Sequence, residues 1–145
     1  DMGRGAAGVF GIKLKKSDRV VGMGVVADGK VKGYEVLSVM ANGYGKRTDL
    51  KEYKVQGRGG SGIKTAKITT KTGRLTNAFV VSAEKMQEMD LVIISAKGQV
   101  IRLPYKSVSE SGRDTQGVRL MRFKESDDEV AAVTWIWQPL AHNLK

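Results

Sequence analysis

Cysteine is absent from the 145 residues, which excludes disulfides and thiolate metal sites and makes a reducing cytoplasm the expected compartment. The one histidine, His142, lies in a terminal stretch and reads as a solvated side chain, not as a ligand or base. There is no run of about 18 apolar residues, no signal-peptide pattern and no long helical-period stretch with a basic face, so no membrane partner is expected. Of Tyr34, Tyr44, Tyr53 and Tyr105, none stands beside a histidine or a carboxylate cluster, so all four read as packing residues. No catalytic residue, metal site or cofactor is expected. Aromatics make up 6% of the chain, too few beside its cations for the stacking platform of a single-strand or RNA reader. Trp135 and Trp137, two apart, are expected on one strand face, capping a hydrophobic edge. Helix signals are nearly absent, and Ala83 to Met89, the one stretch able to form a helical turn, reads as a loop.

What the chain does have is positive charge. Lysine and arginine total 25 against 15 acids, a net +10, which favours a polyanionic partner such as nucleic acid. Residues 46–74 hold nine cations against Asp49 and Glu52, so +7 falls within 29 residues. Acids are displaced to turns and termini; Asp127-Asp128-Glu129 reads as a solvated turn.

A second positive feature is internal repetition. An Arg followed four residues later by Gly and a branched apolar residue occurs as Arg4…Gly8-Val9, Arg58…Gly62-Ile63 and Arg113…Gly117-Val118, with Gly-to-Gly steps of 54 and 55. A fixed period of this size marks stacked units. Each kernel is followed by apolar residues at matching offsets: Val9, Ile12, Leu14; Ile63, Ala66, Ile68; Val118, Met121, Phe123. A cation precedes the last of them each time, Lys13, Lys67 or Arg122. These runs are expected as strands with the basic side chain on the opposite face.

Each unit then turns into a second apolar strand: Val20 to Val26, Leu75 to Val81, and Val130 to Trp137. Their long apolar runs predict burial on both faces. Two units add a hairpin. Val36 to Met40 meets Asn42-Gly43, where positive φ is expected at both residues, and returns through Tyr44 to Tyr53. Leu91 to Ser95 meets Lys97-Gly98 and returns through Val100 to Leu103. Each unit is thus expected to supply about four strands. The fold expected is all-β, a propeller-like pinwheel of four-stranded blades over 1–137, with units at about 4–57, 58–112 and 113–137. The third breaks off after its second strand, giving about two and a half to three blades, too few to close a disc. Further blades or a second copy are expected to complete it, and the chain reads as an excised piece of something longer.

The glycines match two ligand-binding patterns that their context rejects. Gly57-x-Gly59-x-x-Gly62 and Gly3-x-Gly5-x-x-Gly8 fit the dinucleotide fingerprint, but neither opens a helix. A P-loop fails because Ile63, not lysine, follows Gly62. A tight positive-φ crossing between blades is the expected role.

The hairpin Val39-Met40-Ala41-Asn42-Gly43-Tyr44-Gly45-Lys46-Arg47-Thr48, the run Tyr53 to Ile63, and Gly112-Arg113-Asp114-Thr115-Gln116-Gly117-Val118 resemble the C-terminal domain of the A subunit of bacterial DNA gyrase, over essentially all of residues 2–136. The resemblance implies a six-bladed β-pinwheel that wraps duplex DNA around a basic rim and presents a positive crossing to the cleavage gate, enabling negative supercoiling. It also implies an ATP-dependent type II topoisomerase as parent. The implied partners are the remainder of the gyrase A subunit together with the gyrase B subunit, in a bacterial cytoplasm and on the nucleoid. The family's hallmark heptapeptide is Gln-Arg-Arg-Gly-Gly-Lys-Gly. Gln56, Gly57, Arg58, Gly59, Gly60, Ser61 and Gly62 depart from it at Gly57 and Ser61, so this motif reads as a later-blade echo of that box, short of one phosphate contact. The family's acidic tail is missing, and residues 138–145 read as a non-native tail.

The expected function is therefore a non-catalytic duplex-DNA wrapping module, with homodimerisation as a further expectation. Its wrapping cations are expected to be Lys46, Arg47, Lys54, Arg58, Lys64, Lys67, Arg102, Lys106, Arg113, Arg119 and Arg122, reading phosphates and bendability instead of base edges. Two other readings stay open: the related C-terminal domain of topoisomerase IV, and a protein-interaction propeller with an acidic partner.

Overall fold

A computed structural model describes residues 2–27 and 31–138. Of the expected tail only Gln138 falls within that range, and His142 lies outside it.

The two hairpins form where branched apolar runs meet a glycine turn. β1 (Tyr34–Met40) and β2 (Tyr44–Asp49) pair antiparallel, as do β4 (Met89–Ser95) and β5 (Val100–Pro104). Neither turn has the conformation expected of Asn-Gly. Gly43 has φ +80°, but no residue other than glycine has positive φ among the described residues. The Gly43 amide donates to the Met40 carbonyl at 3.0 Å, and the loop spans three residues, 41–43. This is the turn-plus-bulge hairpin, in which only the last loop residue is left-handed. Gly98, at φ +83°, repeats it by donating to Ser95.

The strands do not group unit by unit, as the repeat alone suggests. One sheet has the order β3-β1-β2-β6, where β3 is Leu75–Ser82 and β6 is Val118–Arg119; the other is β5-β4-β7, with β7 at Val130–Trp137. A unit's hairpin is flanked on one side by the second strand of the next unit. On its other side, in the first sheet, lies the kernel strand of the unit after that. Register shifts at Val39/Met40 and at Ile94/Ser95 stand 55 residues apart, so both blades carry the same twist-increasing bulge.

The core lies between the sheets: Leu37, Val39, Val81, Leu91, Ile93, Val130 and Val133, joined by Met86, Tyr105, Val108, Leu120 and Met121. Phe79 and Trp135 pack edge to face, 5.3 Å between ring centres, while Trp137 stays exposed at the sheet margin. Met86 enters this core from α1 (Ala83–Met86), a single helical turn in the segment that reads as a loop from sequence.

Three expected strands are not strands. Residues 9–14 and 63–68 run without a ladder of their own, although Ile12 bridges Gly60 in parallel. Val20 to Val26 is also unladdered and largely uncovered, with Met23 90% and Val25 87% exposed, against the burial its apolar run predicts. Gly22 and Gly24 touch Ala78 and Val80 of β3, so this segment leans on the sheet without joining it. The exchange of strands explains all three. In the two sheets a kernel strand pairs with the hairpin two units back and a second strand with the hairpin one unit back, and for these three segments no hairpin at that distance lies among the described residues.

Candidate nucleic-acid interface

The three kernels lie side by side. The Lys13 amide donates to the Gly60 carbonyl at 2.8 Å, and the Lys67 amide donates to the Thr115 carbonyl at 2.9 Å, the same contact one repeat later. Gly59 completes the first junction by donating to Gly11 at 3.1 Å. The glycine-rich motif Gln56 to Gly62 is thus a joint whose backbone groups bond to the neighbouring kernel, and its Gln56 amide turns back to the Lys54 and Val55 carbonyls. At the last kernel, Gly117 has φ +72° and a Cβ there would collide with the Gly45 carbonyl, as expected of a tight blade crossing.

This stacking sorts the expected cations into two groups. Lys46 is fully buried, and its Nζ donates to the carbonyls of Gly112 at 2.6 Å and Arg113 at 2.5 Å and to Thr115 Oγ1 at 3.1 Å. Burial lowers its pKa; the charges of Glu52 and Asp114 oppose that shift, and the charge of Arg113 adds to it. The loop around Arg113 therefore receives a cation with its carbonyls, the reverse of an anion cradle. Arg47 is likewise engaged inside. It bonds both Glu35 oxygens at 3.1 Å, donates from Nε to the Val108 carbonyl at 2.7 Å, and lies 5.1 Å over the Tyr105 ring. Tyr105 donates to Glu35 at 2.5 Å; burial, then that carboxylate, pushes its phenol well above the usual range. Lys46 has an oxygen for each of its three N–H donors, and Arg47 is turned inward to Glu35 and the Val108 carbonyl, so both are engaged within the fold.

Arg102 occupies the position one repeat after Arg47 and makes the matching pair, Nε to Asp90 Oδ2 at 2.7 Å, one repeat after Glu35. Arg113 donates to the Lys64 carbonyl at 3.1 Å and is half-buried. By contrast Lys54, Arg58, Lys64, Lys67, Lys106, Arg119 and Arg122 are exposed, and none has a carboxylate within ion-pair distance among the described residues. Three acids are held by other cations: Glu129 by Arg74 at 2.8 Å, and Glu125 and Asp127 by Lys97 at 2.5 Å.

One cluster is not apparent from the sequence. At the tip of the first hairpin, Arg119 donates to the Tyr44 hydroxyl at 2.9 Å with its guanidinium 5.2 Å from the ring centre, and Lys71 Nζ lies 5.7 Å from the same ring. Burial would raise the Tyr44 phenol, but the hydrogen bond and charge of Arg119, with the charge of Lys71, carry it below its ordinary value. Along the chain Lys71 is only part of a turn. Comparison across the 55-residue step singles it out, since Ser126 stands in its place one repeat later.

The chain matches the family profile described as "DNA gyrase C-terminal domain, beta-propeller" over residues 1–27, 41–82 and 90–134. It is 47% identical over 121 residues to the DNA gyrase A subunit of Staphylococcus epidermidis and 44% identical over 128 residues to that of Staphylococcus aureus. These matches cover 83% and 88% of the chain but only 13% and 14% of the relatives' length. A solved DNA gyrase A C-terminal domain superposes with TM-score 0.62 at 28% identity, covering 71% of this chain and 34% of that one. The C-terminal domain of DNA topoisomerase IV superposes with TM-score 0.75 at 18% identity, covering 90% and 38%, a likeness of fold. With an all-β pinwheel arrangement and a family profile matched over most of its length, the chain belongs to the DNA gyrase C-terminal domain family.

Proposed function

We propose that this chain binds and wraps duplex DNA as a non-catalytic module of a type II topoisomerase, bending the duplex along its stacked kernels so that the parent enzyme introduces negative supercoils. The observation that carries the reading is the set of exposed cations at successive kernels without carboxylate partners among the described residues, Lys54, Arg58, Lys64, Lys67, Arg119 and Arg122. Each neutralised phosphate releases counterions, and the gain offsets the cost of smooth bending, about 1–6 kcal/mol for 20–30 base pairs. Lys46 and Arg47 act as braces within blades, while Arg102, exposed and bound to Asp90 only through Nε, keeps its outer N–H groups for phosphate. The parent is an ATP-dependent gyrase in which this module works with the remainder of the A subunit and with the B subunit, in the bacterial cytoplasm and on the nucleoid. Isolated copies are expected to pair, covering the uncovered second strand of the first unit.

The test is duplex-DNA affinity measured across a salt series. A steep fall of affinity with salt is expected; a slope near zero, or binding unaffected by competitor duplex, overturns the reading and favours an acidic protein partner. Handedness of the wrap on minicircles separates gyrase-like from topoisomerase IV-like action.

A further inference from the structure

Beside the first hairpin tip lies a shallow cleft of about 400 Å³, lined among others by Asn42, Lys71, Arg119, Arg122, Glu125 and Asp128. Its two walls differ in what their charges are doing. Glu125 is engaged by Lys97, and Asp128 accepts from Ser95 Oγ at 2.5 Å and from the Lys97 amide at 3.0 Å. Lys71, Arg119 and Arg122 are exposed and have no carboxylate partner among the described residues. Tyr44 holds two of these cations at one place, against their mutual repulsion. Nothing in the fold requires this. One repeat later the same hairpin carries Gln99 for Tyr44 and Ser126 for Lys71, with acids around it, and folds into the same bulged turn.

We propose that this cleft seats one backbone phosphate of duplex DNA, held jointly by Lys71 and Arg119, with Tyr44 as the positioning residue that fixes both. The inference rests on the DNA-binding reading and adds to it a defined register point on the rim. It sets the hairpin tip of this unit apart from the acidic tip of the next, so the duplex is gripped here and repelled one unit on.

Salt dependence separates the outcomes. Neutralising one phosphate contributes about 0.9 to the slope of log affinity against log salt. Lys71→Gln and Arg119→Gln are each expected to lower the slope by about 0.9, and the double variant by no more than that, because one phosphate is shared. A double variant losing about 1.8, the sum of two separate contacts, overturns the shared seat, as does an unchanged slope. A wild-type slope near zero overturns the DNA reading itself, whereas a steep wild-type slope with unaltered variants overturns only the seat. Titration with inorganic phosphate followed by NMR supplies the second readout. Saturable shifts at the Arg119 and Tyr44 side chains, lost in Lys71→Gln, are expected; the same shifts with unchanged DNA slopes assign the cleft to free phosphate and overturn it as a DNA contact. Tyr44→Phe keeps the ring but loses the Arg119 bond and is expected to weaken phosphate binding at an unchanged unfolding midpoint. Unaltered phosphate binding in Tyr44→Phe removes Tyr44 from the proposal.

Discussion

Lysines of the same basic stretch are held differently here, and only their surroundings distinguish them. Lys46 holds the loop 112–115 through three oxygens, while Lys64 and Lys67 project from an exposed kernel. Lys46→Met leaves buried acceptors without a donor and is expected to cost about 1–3 kcal/mol in urea unfolding, with the DNA salt slope unchanged. Lys64→Gln with Lys67→Gln is expected to do the converse, lowering the slope by about 1.8 at an unaltered midpoint. Acid sensitivity also belongs to single residues. Burial opposes ionisation of Asp128, but hydrogen bonds from Ser95 and from the Lys97 and Glu129 amides hold its pKa below 3.8, and Arg74 holds Glu129 below 4.5. Groups depressed in the fold contribute stability above their unfolded pKa and lose it as pH falls through the folded one. The stability these two carboxylates contribute should therefore be lost as pH falls below the ordinary carboxylate range, and the acid-side fall of the unfolding midpoint should be less steep in Asp128→Asn.

At the scale of elements, β1, β3, β4 and β7 were legible as extended segments because each is a branched apolar run ended by a turn, but the burial on both faces expected of the second strands fails in β7, which is mostly exposed. The kernels were legible as recurring units but not in their bonding. Their alternation looks like that of strands, yet a strand needs a partner, and which hairpin supplies it is decided by strands exchanged between units. Gly117 is where that exchange is tightest. Gly117→Ala places a Cβ against the Gly45 carbonyl at a positive φ and is expected to cost about 1–3 kcal/mol. Hydrogen exchange should localise the damage, with the Leu120 and Met121 amides, both donating to Gly43, losing protection before those of β4.

For the whole molecule, the exchange makes the three units one cooperative body, since neither sheet belongs to a single unit. Leu37→Ala, in the core between the sheets, is expected to cost about 2–5 kcal/mol and to shift one calorimetric transition. Separate transitions for the first and last units would contradict that assembly.

The sequence by itself determined the all-β class, the period of 54–55 residues, the basic belt around residues 46–74 and the family, because these depend on residue type and spacing along one dimension. It could not separate enclosed from exposed cations, since Lys46 and Lys64 are chemically alike until a loop from 66–69 residues away closes over one of them. The tertiary structure alone decided that sorting. Burial, partner supply and the meeting of Tyr44, Lys71 and Arg119 all arise from contacts between units that are distant in the chain.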